Sequence, residues 1–245
     1  MNAPTGRTSK ADGEEAAAGG EPFLELRDLV SGYYGRRVID GISFKLEEPG
    51  VYVVLGANGA GKTTLFRTIA GILKPIQGEV KVCGEPSTSR SAKRRLEYVS
   101  HMEGIPEGMR VGEGLEFYAK MNGTTPQGLE GVVELLNLGE LYSKTFSSLS
   151  QGQRKRVSVA RIFLRPAEVY LLDEPTANLD PKVAREVRQL VLGFASEKVV
   201  LYSSHNLLEA REIGSTVIAI KEGRLYAFKK ISELETKGYR VAVRT

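Results

Sequence analysis

The chain has 245 residues, of which 41% are hydrophobic and 26% charged, with a formal net charge of +4; this is ordinary for a soluble protein and enough for a full α/β core in one or at most two domains. No apolar run approaches the roughly 18 residues a membrane-spanning helix needs, and the start has no apolar signal core, so the chain is expected in the cytosol with any membrane role carried by a partner. The single Cys83 excludes an internal disulfide.

Met1 to Glu21 are rich in Ala, Gly, Glu, Thr and Ser and have no aromatic or β-branched aliphatic residue, which predicts a disordered leader over residues 1–22. Phe23 to Val30 and Ile42 to Leu46 read as paired strands, and Ser31-Gly32-Tyr33-Tyr34-Gly35 between them reads as a loop with two adjacent aromatics. Either ring could stack on a base or cover the sheet edge. Val51 to Leu55 is an apolar strand, and Gly56-Ala57-Asn58-Gly59-Ala60-Gly61-Lys62-Thr63 follows it, running into a helix from Thr64 to Ala70. Glycines let backbone N–H groups approach a polyphosphate, and the helix start adds unpaired N–H groups and its positive dipole end. Lys62 can reach the β- and γ-phosphates, and the Thr63 hydroxyl can take a place on Mg²⁺. A turn alone would require neither.

Gly71 and Pro75 end that helix, Gly78 to Gly84 is a further strand with Cys83 as a small buried filler, and Leu96 to Ser100 is a short buried strand. The cluster Arg90, Lys93, Arg94 and Arg95, and the stretch from Lys221 onward with seven Lys or Arg against three Glu, read as solvated basic faces. The Arg90 to Arg95 cluster has no interleaved aromatics for base stacking, and no direct nucleic-acid binding is expected. Met102 to Pro106 is a loop; Val111 to Met121 and Leu129 to Leu138 carry helical periodicity, and Leu141 to Leu149 is irregular. Ser150-Gln151-Gly152-Gln153 opens a helix to about Leu164, with Ser150 and Gln153 spaced as a capping box. Val169 to Leu172 is a buried strand running into Asp173-Glu174, two acids at the carboxyl end where open α/β sheets bind ligands. Asp180-Pro181 starts another helix, Val199 to Ser203 is a strand, and His205 follows it ahead of a helix from Leu207 to Ile213. Thr216 to Ile220 and Arg224 to Phe228 flank Lys221-Glu222-Gly223 as a hairpin, and a short helix over Ile231 to Gly238 and a terminal strand over Tyr239 to Thr245 close the chain.

The order of the phosphate loop, a helical stretch, Leu149-Ser150-Gln151-Gly152-Gln153, the Val169 to Glu174 strand, Asn178-Leu179-Asp180 and His205 resembles the nucleotide-binding domain of ABC ATPases over about Phe23 to Phe228. The resemblance implies an α/β P-loop NTPase with a RecA-like core, an N-terminal antiparallel β subdomain and an inserted helical subdomain at about 102–165, leaving 229–245 as a basic extension. It also implies ATP and Mg²⁺ as ligands and a head-to-tail pair of domains as the working unit.

Residue by residue, the resemblance implies that Gly56, Asn58, Gly59, Ala60, Gly61, Lys62, Thr63 and Thr64 hold the phosphates, and that Tyr34, with Tyr33 as second choice, stacks on adenine. Thr63 and Asp173 serve Mg²⁺, Glu174 is the general base, and His205 holds the γ-phosphate and water in register. Ser150, Gly152 and Gln153 close over the nucleotide of the partner domain, and Asp180 caps its helix and bridges the two subunits. Two positions depart from the pattern: His101 stands where a metal-contacting glutamine is usual, bringing a shorter group that titrates near neutrality, and Gln151 replaces the first signature glycine. The expected function is the ATPase subunit of a transporter, docked on transmembrane permease subunits at the inner face of the membrane through its helical insertion and most like ABC-2 exporters. A single-domain soluble ABC ATPase, such as an iron-sulfur assembly ATPase, is the alternative; a P-loop kinase or switch GTPase would leave the signature and His205 unexplained.

Overall fold

The computed structural model describes residues 21–99, 105–177, 179–214 and 216–236. Strands β1 (Leu24–Tyr33), β2 (Arg36–Leu46) and β3 (Gly50–Leu55) lead into helix α1 (Lys62–Ile69), and β4 (Gln77–Val82), β5 (Glu85–Pro86), α2 (Arg90–Arg95) and β6 (Leu96–Val99) follow. Helices α3 (Val111–Asn122), α4 (Pro126–Leu135) and α5 (Gln151–Phe163) come next, with two single-turn 3-10 segments between α4 and α5. The chain continues through β7 (Val169–Leu172), α6 (Pro181–Phe194), β8 (Val199–Ser204), α7 (Leu207–Ile213), β9 (Thr216–Lys221), β10 (Arg224–Lys230) and α8 (Ile231–Thr236). Among the described residues no helix is long and apolar enough to cross a membrane.

The strands form two sheets. One is four-stranded and antiparallel in the order β2-β1-β4-β5; the other has the order β10-β9-β3-β8-β7-β6, parallel except for β10 at its edge. Every residue of β3 from Val51 to Leu55 is buried, which only a central strand with both faces covered requires. Val51, Val53 and Leu55 face a core shared with α3, α5, α6 and α7, while Tyr52 and Val54 face the core built on α1 and the antiparallel sheet. β7 and β8 divide their residues between the same two cores. The carboxyl ends of the parallel strands are thereby brought to one rim, where the loops after β3, β7 and β8 meet.

Three hairpins close with one device. Tyr34-Gly35, Cys83-Gly84 and Glu222-Gly223 each follow a residue near φ 50 with a glycine near φ 77, the left-handed pair of a type I′ turn. Only the last of these is legible as a hairpin in the sequence, because Tyr and Cys are not the turn formers that signal the motif. The Ser31 to Gly35 stretch is therefore strand up to Tyr33 with a two-residue turn, and Cys83 lies in a turn just past β4, where the strand was expected to continue. Cys83 is nonetheless buried, its thiol donating to Glu168 Oε2 at 3.3 Å, and burial with that carboxylate pushes it up to about 12. The basic cluster at Arg90 to Arg95 is a one-and-a-half-turn helix, which was not foreseen: Ser89 caps it by accepting from the Ala92 N–H, and Ala92 is its buried anchor. In the helical region α4 starts at Pro126, capped by Thr125, and ends at Leu135, shifted toward the N-terminus from the expected span. The terminal strand expected over Tyr239 to Thr245 lies outside the described residues.

Lys155 on α5 is half-buried, and burial lowers its ammonium from 10.5 to about 8. The unfolded chain therefore binds more protons than the folded one between those values, so this group lets stability rise with pH across that window. Lys155→Met is expected to raise the thermal midpoint at pH 7 by a few degrees, with the gain shrinking toward pH 10. Melting curves at the two pH values check it; an equal gain at both would show that the lysine's charge is not the cause.

Candidate functional site

Residues 56–61 join β3 to α1, and the loop is fixed from below by its neighbours. Gly56 N–H donates to the Ser204 carbonyl at 3.2 Å, and the Ala60 carbonyl accepts from Gly223 N–H at 3.1 Å. Gly223 sits in the β9–β10 turn so close to β2 that an added Cβ would lie 1.9 Å from the Val38 carbonyl. Gly61 caps α1 at φ 104, where a Cβ would also meet Ile39 at 2.8 Å. Two glycines far apart in sequence thus set the height and curvature of one loop. Among the described residues nothing accepts a hydrogen bond from the N–H groups of Asn58, Gly59, Gly61, Lys62 or Thr63. Five consecutive or near-consecutive donors at a helix start fit a polyphosphate.

Lys62 is 5% exposed and donates to the carbonyls of Gly56 at 2.8 Å and Ala57 at 3.2 Å. Its Nζ also lies 3.3 Å from Glu174 Oε1, and His205 Nδ1 approaches the same oxygen at 3.7 Å. Three of the residues singled out from sequence, carried by α1 and by the loops after β7 and β8, therefore converge on one point. Glu174 takes φ 47, unusual for a residue with a side chain. Asp173 N–H donates to the Val99 carbonyl at 3.0 Å, holding the first acid against β6. Its carboxylate accepts from Ser203 Oγ at 2.6 Å and from the Tyr98 hydroxyl at 3.5 Å.

For Mg²⁺ the donor set is sparse and hard: the Asp173 carboxylate and the exposed Thr63 hydroxyl, with no group of three or more His, Cys, Asp or Glu among the described residues. Such a set fits a cation that keeps several waters and takes further ligands from substrate phosphates. Thr64 is buried within α1, its carbonyl accepting from Thr68 at 2.7 Å. His101, named as a metal contact from sequence, lies outside the described residues, as does Asn178.

A second network, unseen in the sequence, backs the His205 loop. Glu209 on α7 accepts from Thr176, from Tyr202 at 3.0 Å and from Ser204 at 2.5 Å, and pairs with Arg188 of α6 at 3.3 Å. Ser204 Oγ in turn accepts from Asn206 N–H at 3.0 Å, fixing the chain on both sides of His205. Burial and the adjacent Glu209 charge drive the Tyr202 phenol upward, so it stays a hydrogen-bond donor. Thr176, Arg188, Ser204, Asn206 and Glu209 line a cleft of about 310 Å³ together with Glu174 and His205. The one signal available in the sequence was the Ser203-Ser204 pair at the end of a strand that otherwise asks for apolar residues.

Tyr33 and Tyr34 separate clearly. Arg67 of α1 donates to the Tyr33 hydroxyl at 3.2 Å, while Tyr34 stands fully exposed at the hairpin tip. Ser150 and Gln153 form the expected capping box, Ser150 N–H donating to Gln153 Oε1 at 3.1 Å and Gln153 N–H to Ser150 Oγ at 3.3 Å. Gly152 packs against α6, where an added Cβ would lie 3.0 Å from Val183. Asp180 caps α6 by accepting from Lys182 N–H at 2.9 Å. Arg154 braces the run before α5 through the Leu149 and Ser147 carbonyls and Glu107. Among the described residues, Ser150, Gly152 and Gln153 share no hydrogen bond with the phosphate loop. On the helical region, α3 and α4 border a groove of about 650 Å³, and Phe117 and Met121 stand exposed on α3.

A sequence profile of the ABC transporter family matches residues 39–177. An uncharacterised ABC transporter ATP-binding protein of Bacillus subtilis (strain 168), YhcH, is 32% identical over 86% of this chain and 70% of its own length. The Nod factor export ATP-binding protein I of Ralstonia nicotianae is 31% identical over 89% of this chain and 70% of its own. Among solved structures, cbiO1 of Clostridium perfringens, part of the ABC transporter complex cbiONQ, superposes with a TM-score of 0.76 at 25% identity, covering 89% of this chain and 92% of that one.

Proposed function

The chain belongs to the ABC transporter family as an ATP-binding ATPase subunit, and from that premise we propose that it drives an exporter, as a nucleotide-closed dimer docked on permease subunits at the inner face of the membrane. The observation that carries the dimer is the separation of two half-sites. The phosphate loop, Lys62, Glu174 and His205 gather at the rim of the parallel sheet, while the Ser150 to Gln153 turn opens α5 elsewhere and shares no hydrogen bond with them. A helix N-terminus with an exposed serine and a glycine beside it offers donors to a phosphate, and a second copy turned head to tail brings that turn to the first copy's nucleotide. Asp180, at the start of the helix Gly152 packs against, then stands at the seam.

Within each half-site, the N–H groups of Asn58, Gly59, Gly61, Lys62 and Thr63 and the Lys62 ammonium bind the phosphates, while the Ala60 N–H is spent inside the loop on the Ala57 carbonyl at 3.1 Å, and Tyr34 at the tip of the β1–β2 hairpin supplies a ring for adenine. The Thr63 hydroxyl and the Asp173 carboxylate would hold Mg²⁺, with His101 as the further metal contact expected from the sequence, and the ion would supply neutralisation of charge on the phosphate oxygens. Glu174 accepts the proton of the attacking water at its carboxylate, and His205, beside the same oxygen, orients that water and the terminal phosphate. The exposed Phe117 and Met121 and the α3–α4 groove provide the apolar face for a permease. Export is supported by the likeness to a protein named for Nod factor export.

The test is recovery of the tagged chain from detergent-solubilised membranes. A membrane-embedded permease of the exporter type is expected to copurify; recovery with soluble partners alone would replace this reading by a soluble ABC ATPase of the iron-sulfur assembly kind.

A further inference from the structure

We propose that Ser203 is a positioning residue for ATP hydrolysis, a single buried hydroxyl that fixes both the Asp173 carboxylate and the backbone that aims Glu174. The parallel ladder between β7 and β8 ends with Leu172 opposite Tyr202. One step further, where Asp173 would face Ser203, the side chain of Ser203 takes over from the backbone. Its Oγ donates to Asp173 Oδ1 at 2.6 Å and accepts from the Glu174 N–H at 2.8 Å. Ser203 is 0% exposed, so no water can replace either bond from outside.

The two bonds solve a steric and an electrostatic problem together. Consecutive acids at a strand end repel one another, and in extended backbone their side chains would point to opposite faces. Glu174 instead turns to φ 47, a left-handed conformation that an L-residue keeps only where its surroundings hold it. That turn brings its carboxylate to Lys62 and His205 while Asp173 stays tied to β6 and β8. The hydroxyl proton can serve only one acceptor, and the lone pair it leaves receives the amide of the next residue. Ser203 thereby sets the angle between the metal-side acid and the base. Tyr202 and Ser204, facing the opposite side of β8, are engaged with Glu209, so neither can substitute.

The inference rests on the roles proposed above for Asp173 and Glu174. In the full chain Ser203→Ala, checked for a native circular dichroism spectrum, is expected to lower kcat about 10- to 100-fold, with KM for ATP changed less than 3-fold. Mn²⁺ binding to the ATP-loaded protein, followed by electron paramagnetic resonance, is expected to weaken about 10-fold. Ser203→Thr, which keeps the hydroxyl, should restore both, and Ser203→Cys, whose thiol is a weak partner, should resemble Ala and carries the test if Ala does not fold. Turnover within twofold of the parent in Ala or Cys overturns the proposal, as does a fall in kcat with Mn²⁺ binding unchanged. Loss of the parent roles is distinguishable: if Glu174→Gln also turns over normally, the assignment of the base has failed, whereas an inactive Glu174→Gln beside an active Ser203→Ala removes the serine alone.

Discussion

Glu174→Gln is expected to lower ATP turnover by about 10²- to 10⁴-fold, the range a lost general base produces, while ATP still binds. The reason lies in what the exchange preserves. Glutamine keeps an oxygen that can accept from Lys62, at the position where Glu174 Oε1 now lies 3.3 Å from Nζ, and it takes φ 47 no less readily than glutamate. The Glu174 N–H bond to Ser203 is backbone-borne and survives as well. Only the capacity to take a proton is lost. Binding without turnover should trap the closed state, so a dimer is expected to accumulate with ATP on a sizing column. Steady-state kcat with a parallel measurement of ATP affinity checks this; turnover within tenfold of the parent would transfer the role to another residue.

Lys62→Met should produce the complementary defect, a loss of ATP affinity of about 10²-fold with turnover lost as a consequence. Nζ is held at 2.8 and 3.2 Å from the Gly56 and Ala57 carbonyls with the side chain 5% exposed, so the ammonium is confined to the mouth of the loop. A charge-assisted bond of this kind contributes about 1.5–3 kcal/mol, up to roughly a hundredfold in affinity for one bond. Methionine fills the stem's place in the core and isolates the charge as the variable. Equilibrium binding of a fluorescent ATP analogue is the measurement. Affinity within threefold of the parent would mean that the backbone N–H groups alone hold the phosphates. Together the two variants separate binding from chemistry at a point where both side chains touch.

Much of this molecule follows from local rules written along the chain. The strand–loop–helix of residues 51–69 is legible because β3 is apolar throughout and the glycines are spaced for a phosphate loop. The capping boxes and N-caps at Ser150 and Asp180 are equally local, since a helix start is satisfied by residues within three positions of it. The β1–β2 turn is hidden for a local reason too: Tyr34 adopts a left-handed conformation without being Asn or Asp, and only pairing of Tyr33 with Arg36 reveals it.

What the chain could not disclose in one dimension depends on register and on packing between distant segments. Ser203 lies thirty residues beyond Asp173, and which of two neighbouring serines meets it is decided by the parallel pairing of β7 with β8, where a shift of one residue would reverse every side chain. The meeting of Lys62, Glu174 and His205 at one carboxylate oxygen follows from strand order, because β3, β8 and β7 lie side by side and deliver their loops to the same rim. Sequence thus determined the family of chemistry and most of its reagents; the sheet decided their mutual aim, since direction is a property of neighbours across the ladder and not of residues along it.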